Sequence, residues 1–214
     1  MNLTIITSSR PETYIHKTLK SLQGQGFNTR VLVQSEPGGI TPDFTDFGCE
    51  QDIQPPVSEN HRRNAATNFM MAVATEIGKG PLVVSEDDVV FTRNAVSKLS
   101  ECIKAVPVSR YILTLYSQSK LDDQPIEHIN HRKWRGSQAV YIPKSISGNL
   151  VEHFVNKLKS EFAIDYTTDL AIQSFCEEWN VPMFCCNPNL VQHIGKRSVL
   201  SPWDSFHISP TFRL

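Results

Sequence analysis

Strand and helix patterns alternate through the first half of the chain, and this alternation limits the fold more than any other feature. The β-rich run NLTIITSS precedes a helix pattern in which Ile15, Leu19 and Leu22 have helical spacing. A second strand pattern, TRVLVQSE, precedes a helix pattern with Ser58 as its expected N-cap, and the apolar run PLVVSE follows. This alternation predicts an α/β fold with a mostly parallel central sheet flanked by helices.

The remaining patterns extend this layout to the end of the sequence. Thr92 is the expected cap of a helix that Pro107 closes. The second half contains two strand patterns, YILTLYS and SQAVYIPK, then two amphipathic helix patterns, and finally a strand with a polar exit, VPMFCCNPNLVQHIGKRSVL. Residues 37–56 and 119–136 are predicted to be loops. No internal repeat or linker divides the sequence, which predicts a single domain over residues 1–214.

The bulk properties exclude several classes of protein. The 214 residues carry a formal net charge of −1, so no overall field attracts nucleic acid or a membrane. The apolar runs are much shorter than a membrane span, and MNLTIITSSRP is predicted to be a first strand and not a signal peptide. The five cysteines have no C-x-x-C spacing, which disfavours a disulfide framework or a zinc site and fits a reducing cytoplasm.

Three consecutive acids, Glu86, Asp87 and Asp88, stand between apolar β-prone runs in PLVVSEDDVVFT. Adjacent carboxylates repel one another, and burial raises their pKa values. A bound divalent cation is the simplest way to relieve both effects at a strand end. The alternative is a charge cluster that precedes the helix capped by Thr92.

Polar residues also follow the other predicted strands of the first half. Sheets of this class bind ligands at the carboxyl ends of their parallel strands. Parallel pairing of the three strands would bring together the side chains of Thr7, Ser8, Arg10, Ser35, Glu36 and the acidic triplet. The sequence therefore predicts a ligand site at this edge of the sheet.

The order of elements, the acidic triplet and the late motif QHIG resemble the GT-A fold of nucleotide-sugar glycosyltransferases. More narrowly, VVSEDDVVFT and NPNLVQHIGKRSVL are similar to the N-acetylglucosaminyltransferase IV group and its small bacterial or phage relatives. The run SENHRRNAATNF is similar to the helix by which related enzymes face the uridine. The chain is shorter than the eukaryotic enzymes and has no counterpart of their membrane anchor and stem, which leaves the acceptor open.

The resemblance implies that Asp88 and His193 bind Mn²⁺ or Mg²⁺. Glu86 and Asp87 would then contact the donor sugar and the ribose. Mixed oxygen and imidazole ligation suits Mn²⁺, and a diphosphate would supply further oxygens. Taken alone, His193 is equally consistent with a polar histidine at a strand end.

The resemblance also implies a nucleotide-binding set. Glu36 would lie against the uracil, and basic residues near QHIG would hold the diphosphate. The set comprises Thr7, Ser8, Arg10, Glu36, His61, Arg63, Glu86, Asp87 and Arg197, with Lys196 and Ser198 beside it. For the adjacent pair Arg62 and Arg63, one solvated and one paired arginine is an alternative interpretation.

Asp169 is the candidate catalytic base. Inverting transfer needs a carboxylate that deprotonates the attacking hydroxyl. Asp165 competes for this role, and Asp169 is also typical of an acid in the first turn of a helix.

The segment 127–136 gathers basic residues around Trp134. Trp134 can stack on a sugar or belong to the core, and the basic residues can form a solvated flap or contact a phosphate backbone. The acceptor therefore stays open between a glycan, a protein, a small molecule and a DNA base.

These features together predict a cytoplasmic, metal-dependent glycosyltransferase that uses a UDP-sugar donor and does not require a membrane. Residues 1–107 would bind the nucleotide and residues 108–214 the acceptor. Another metal-dependent nucleotide enzyme, such as a nucleotidyltransferase, and a non-catalytic nucleotide-sugar or glycan-binding protein are the alternatives.

Overall fold

An eight-stranded sheet lies at the centre of the molecule. The computed structural model describes residues 1–9, 14–35, 43–118, 124–159, 167–195 and 209–213. The strands of this sheet are β1 (Asn2–Ser8), β2 (Asn28–Gln34), β3 (Glu50–Gln54), β4 (Leu82–Glu86), β6 (Ile112–Thr114), β7 (Ile126–Ile129), β8 (Ala139–Ile142) and β9 (Met183–Cys186). A second sheet pairs β5 (Val89–Phe91) with β10 (Val191–His193). The helices are α1 (Ile15–Leu22), α2 (His61–Ala74), α3 (Ala95–Ala105), α4 (Lys144–Lys159) and α5 (Thr168–Glu178).

The large sheet has the strand order β3-β2-β1-β4-β8-β6-β9-β7. Strands β3, β2, β1 and β4 are parallel, β8 is antiparallel to both of its neighbours, and β7 is antiparallel to β9. Six of the eight strands therefore point in one direction, and the predicted α/β fold with a mostly parallel sheet is confirmed. The edge at which these six strands end is called the carboxyl edge below.

A layer of helices covers each face of the sheet because successive side chains in a strand point to opposite faces. Leu3 and Ile5 of β1 pack in the cluster that includes α1 and α3, while Ile6 packs with α2, α4 and α5. On the second face, the rings of Phe69 and Phe154 stack with their centroids 5.4 Å apart. The β5–β10 sheet contributes its apolar side chains to the first face.

Both predicted loops contain a strand, and those two predictions were wrong. The described part of residues 37–56 includes β3, whose side chains are mostly exposed. Residues 119–136 include β7 and a short 3₁₀ turn at His131–Lys133. Because β3 and β7 are the edge strands, each packs against the sheet on one side only and lacks the apolar pattern that reveals a central strand.

Two helix caps differ from the prediction. Asn60, and not Ser58, caps α2: its Oδ1 accepts the N–H groups of Arg62 at 2.9 Å and Arg63 at 3.1 Å. Helix α3 begins after Asn94, which has a left-handed backbone and makes no capping bond. Its first N–H, that of Ala95, donates instead to Gln25 Oε1 at 2.7 Å.

The predicted final strand is split into β9 and β10. Pro188 has no N–H and cannot continue a strand ladder. The buried Asn189 then turns the chain, because its Nδ2 donates to the Ser117 carbonyl at 2.7 Å. The split sends the QHIG motif away from the large sheet and into the small one.

All five cysteines are free thiols. Within the described ranges, no helix combines the length and the apolar character that crossing a bilayer requires.

Candidate metal and nucleotide site

The acidic triplet lies at the carboxyl edge, where the large sheet meets the small one. Glu86 is the last residue of β4, and Asp87 and Asp88 connect it to β5. Strand β10 pairs antiparallel with β5, and this register places His193 opposite Val89, the residue after Asp88. The Ile194 N–H donates to the Asp88 carbonyl oxygen at 2.8 Å and fixes this pairing.

Asp88 and His193 are in direct contact, although 105 residues separate them in the sequence. His193 Nε2 lies 3.1 Å from Asp88 Oδ2, and the two side chains are only 12% and 13% exposed, respectively. Burial alone would lower the pKa of His193, but the hydrogen bond to Asp88 and its negative charge outweigh burial and raise that pKa. The contact is thus an ion-pair-like arrangement that either a proton or a cation can stabilise.

Gly195 and the second oxygen of Asp88 are two further features that fit a cation bound at this contact. A Cβ atom on Gly195 would lie 2.3 Å from Asp88 Oδ2 and 2.9 Å from His193 Nε2, so a larger residue there would have to displace these side chains. Asp88 Oδ1 is buried and has no hydrogen-bond partner among the described residues. A buried carboxylate oxygen without a donor is costly, and a bound cation would compensate it.

The chemistry of these ligands fits Mn²⁺ or Mg²⁺ that is shared with a second molecule. A carboxylate and an imidazole suit Mn²⁺, and the carboxylate also suits Mg²⁺. Within the described ranges, no group of three or more His, Cys, Asp and Glu side chains could hold an ion by themselves. The remaining ligands would have to come from water or from the oxygens of a bound phosphate group.

Asp87 faces into the fold. The hydroxyl of Thr7, at the end of β1, donates to Asp87 Oδ2 at 2.5 Å, and Asp87 is 4% exposed. The Thr18 hydroxyl of α1 lies 2.6 Å from the carbonyl oxygens of both Asp87 and Val89. Asp87 therefore joins β1, α1 and the triplet, and its predicted contact with the donor stays a prediction.

Glu86 is half-buried beside the segment that precedes β8. The Ser137 hydroxyl donates to Glu86 Oε1 at 2.7 Å. Burial, followed by the charge of Asp88, raises the pKa of Glu86 to about 7, against the opposing effects of Ser137 and His193. Ser137 was missed in the sequence because nothing in its neighbourhood indicates that it approaches a residue 51 positions earlier.

The ends of β1, β2 and β3 are tied together next to the triplet. The Ser9 N–H donates to the Gln34 carbonyl at 2.9 Å, and the Ser35 N–H donates to the Gln54 carbonyl at 2.9 Å. The buried Gln34 Oε1 accepts from Asn68 Nδ2 of α2 at 3.0 Å. The sequence interpretation missed this amide pair, although a glutamine that ends an apolar strand was a usable signal.

The residues predicted to bind the nucleotide are only partly described. Ser8 ends β1 next to Thr7, and His61 is exposed at the start of α2. Arg63 donates from Nη2 to the Leu158 carbonyl at 2.9 Å, so its guanidinium is tied to α4. Outside the described residues lie Arg10, Glu36, Asp165, Lys196, Arg197 and Ser198.

Asp169 lies in the first turn of α5. Its Oδ1 accepts the Leu170 N–H at 3.2 Å and the Thr167 hydroxyl. The last turn of α5 contacts Arg132, which follows the end of antiparallel β7 at the opposite edge of the sheet, so the first turn lies towards the carboxyl edge. It belongs to the helix layer on the face opposite to the β5–β10 sheet.

Trp134 is buried, although its basic neighbours Arg132, Lys133 and Arg135 are exposed. Trp134 is 5% exposed and belongs to the core, so the core alternative holds for this residue. Arg132 forms an ion pair with Glu177, which lies in the last turn of α5 and thus at the opposite end of that helix from Asp169.

Comparisons with known proteins support the fold. The sequence matches no protein-family model and no curated protein. The fold is similar to the inositol-1-phosphate CTP transferase from T. maritima (TM-score 0.54, 13% identity, 91% of this chain and 89% of that chain). It is also similar to S. aureus TarS 1-349 in complex with UDP-GlcNAc (TM-score 0.55, 11% identity, 100% of this chain and 62% of that chain). A third similar structure is the glycosyltransferase GlyE of Streptococcus pneumoniae (TM-score 0.52, 8% identity, 85% of this chain and 44% of that chain).

At these identities the likeness concerns the fold alone. The chain has the GT-A, Rossmann-like arrangement, in which a large mixed sheet is flanked by helices on both faces. Glycosyltransferases and nucleotidyltransferases both occur among the similar structures.

Proposed function

We propose that this chain is a metal-dependent glycosyltransferase that moves a sugar from a UDP-sugar to a hydroxyl acceptor with inversion. The contact between Asp88 and His193 carries the proposal. Its two side chains converge from distant parts of the sequence, Gly195 leaves room beside them, and the second oxygen of Asp88 is buried with no described partner. These are properties of a site that binds a cation at the carboxyl edge, where sheets of this class bind ligands.

Asp88 and His193 would hold Mn²⁺ or Mg²⁺, with the remaining positions open to the diphosphate of the donor. When bound, such an ion neutralises the charge that develops on a diphosphate leaving group. The UDP-GlcNAc complex of TarS, a protein of similar fold, supports a UDP-sugar as the donor class.

The chain's own residues would bind and orient the two substrates. Thr7 and Ser8 would line the nucleotide side of the site together with Arg10, Glu36, His61, Arg63 and Arg197. Glu86 would contact the donor sugar, and Asp87 would contact the ribose in addition to its bond with the Thr7 hydroxyl. Asp169 would accept the proton of the acceptor hydroxyl, since its first-turn position lies towards the carboxyl edge.

Melting experiments with nucleotides test this proposal. A ligand at about 100 times its Kd stabilises a folded protein by about 2.7 kcal/mol. UDP with Mn²⁺ should therefore raise the melting temperature, whereas UDP with a chelator, or GDP or CMP with Mn²⁺, should raise it much less. A larger shift with GDP would contradict the uridine donor.

A nucleotidyltransferase is the second candidate. It is supported by the share of the similar structures' own length with which this chain aligns. This chain aligns with 89% of the T. maritima CTP transferase but with only 62% of the TarS chain. The two reactions differ in their products, because a glycosyltransferase releases a nucleoside diphosphate and a nucleotidyltransferase releases pyrophosphate. Incubation with UDP-sugars, or with nucleoside triphosphates and sugar phosphates, followed by assays for both products, separates them.

We also propose a cytoplasmic location for the protein and a test that separates the classes of acceptor. Five free thiols support a reducing cytoplasm. A glycan, protein or small-molecule acceptor should be glycosylated at a rate that changes little with salt. If a DNA base is the acceptor, transfer should fall steeply as salt rises, because phosphate contacts release counterions.

A further inference from the structure

His193 is the last residue of β10, which belongs to a very small two-stranded sheet. Strands β5 and β10 contain three residues each and pair only with one another in the described part of the chain. A two-stranded ribbon of this length is marginal on its own. The close contact between His193 and Asp88 therefore needs additional support.

The side chain of Gln192 supplies one such support. Its Nε2 donates to the carbonyl oxygen of His193 at 2.8 Å. Its Oε1 accepts the N–H of Ser209 at 2.9 Å. One amide thus links the backbone of His193 to residues 209–213, which are called the 209–213 segment here.

The 209–213 segment is itself anchored on both sides of the small sheet. Thr211 Oγ1 accepts the Asn189 N–H at 3.1 Å, and Asn189 Nδ2 donates to the hydroxyl of the buried Ser209. At the other end, the Thr92 hydroxyl, just after β5, donates to the carbonyl of Arg213. The segment therefore connects the residues before β10 with the residue after β5.

We propose that Gln192 is a positioning residue for His193 and that the 209–213 segment is part of the scaffold of the metal site. This inference rests on the proposed metal-dependent function. Without the amide of Gln192, the His193 backbone loses this link to the segment, and the β5–β10 pairing and the Ile194–Asp88 bond hold the imidazole against Asp88 less firmly. Partners that orient a metal ligand contribute about 10–100-fold to metal affinity.

The test compares two glutamines that make the same kind of bond. Gln192→Met removes both hydrogen bonds while keeping the side-chain size. Gln173→Met is the matched control, because Gln173 Nε2 donates to the Trp134 carbonyl at 2.7 Å in another part of the fold. With UDP present, calorimetry should give a Mn²⁺ affinity about 10–100-fold weaker than wild type for Gln192→Met and near wild type for Gln173→Met.

A second measurement needs no metal. The imidazole proton signal of His193, assigned by its loss in His193→Ala, should shift in Gln192→Met and stay in place in Gln173→Met. A folded Gln192→Met protein with an unchanged signal and an unchanged Mn²⁺ affinity overturns the positioning role. If wild-type protein binds no Mn²⁺ with UDP present, the proposed function falls and this inference falls with it.

Thr211→Val keeps the inference testable if Gln192→Met does not fold. This change removes the acceptor of the Asn189 N–H at nearly constant volume. It should weaken Mn²⁺ binding about fivefold, the factor that corresponds to a net hydrogen bond of about 1 kcal/mol. An unchanged affinity in this variant shows that the 209–213 segment does not support the metal site.

Discussion

Asp87 and Asp88 are neighbours in the sequence, but their carboxylates differ in the hydrogen-bond partners that the structure gives them. Asp87 receives the Thr7 hydroxyl at 2.5 Å, and its carbonyl lies within reach of Thr18. Asp88 contacts His193 through one oxygen, and its other oxygen is buried with no partner in the described part of the chain. The first carboxylate is compensated by the fold, and the second is compensated fully only when something binds. Asp87 should therefore matter mainly for stability and Asp88 mainly for binding.

The largest effect is expected on turnover, at Asp169, which serves neither the stability role of Asp87 nor the binding role of Asp88. If the triplet serves the fold and the donor, the acceptor proton must go to another base, and Asp169 is the candidate. Asp169→Asn should leave UDP and Mn²⁺ binding intact and lower turnover by about 10²–10⁴-fold, the usual contribution of a general base. Steady-state kinetics alongside calorimetry checks this. Turnover near the wild-type value would remove Asp169 from the mechanism and redirect attention to Asp165.

Gly195→Ala tests the binding side of the comparison without changing either ligand. The new Cβ would lie 2.3 Å from Asp88 Oδ2 and must push the Asp88–His193 contact apart. Mn²⁺ affinity in the presence of UDP should fall by about 10–100-fold. The matched control is Gly148→Ala in α4, where a Cβ meets nothing within 4 Å. That change should stabilise the fold by about 0.5–1 kcal/mol and leave Mn²⁺ binding unchanged.

Thr7→Val tests the stability side. The substitution is nearly isosteric and leaves the buried carboxylate of Asp87 without its Thr7 donor. The free energy of unfolding in urea should fall by about 1–3 kcal/mol, the cost of removing a hydrogen-bond donor from a buried charged group. Thr67→Val is the control, since the Thr67 hydroxyl bonds only the Arg63 carbonyl within its own helix in the described contacts. Equal losses in the two variants would show that the Thr7–Asp87 bond has no special weight.

The pH dependence of stability gives a further test of the triplet. Burial and the charge of Asp88 raise the pKa of Glu86 from 4.5 to about 7. Folding therefore favours the protonated form of Glu86. The protonated side chain contributes its full stability below about pH 4.5, and this contribution is lost as the pH rises to about 7. Glu86→Gln should show a weaker decline of unfolding free energy over this window than wild type. Parallel pH profiles would place the titrating group elsewhere.

The parts of the fold that could be predicted are those in which local pattern and burial agree. Strands β1, β2 and β4 are central, so their apolar runs are visible in the sequence. The edge strands β3 and β7 lie in stretches predicted to be loops, because their exposed positions carry no apolar run. The cap of α3 was misplaced because its first N–H is satisfied by Gln25, from a distant turn.

The site shows the same limit. The acidic triplet and QHIG are visible as motifs, and the structure brings Asp88 and His193 into contact. The requirement for Gly195, the Ser137–Glu86 bond and the Gln34–Asn68 pair arise from tertiary approach. No local sequence pattern specifies which distant residue will meet which.

Titration of Mn²⁺ into the protein with UDP present, followed by calorimetry, tests the central claim that Asp88 and His193 hold one ion. Asp88→Ala and His193→Ala should each lose most of the wild-type binding while their circular dichroism stays that of the folded protein. Ligands of one ion act as a unit, so the double variant should be little worse than the worse single variant. Wild-type binding in both single variants would contradict the claim and leave the acidic triplet as a charge cluster at the end of β4.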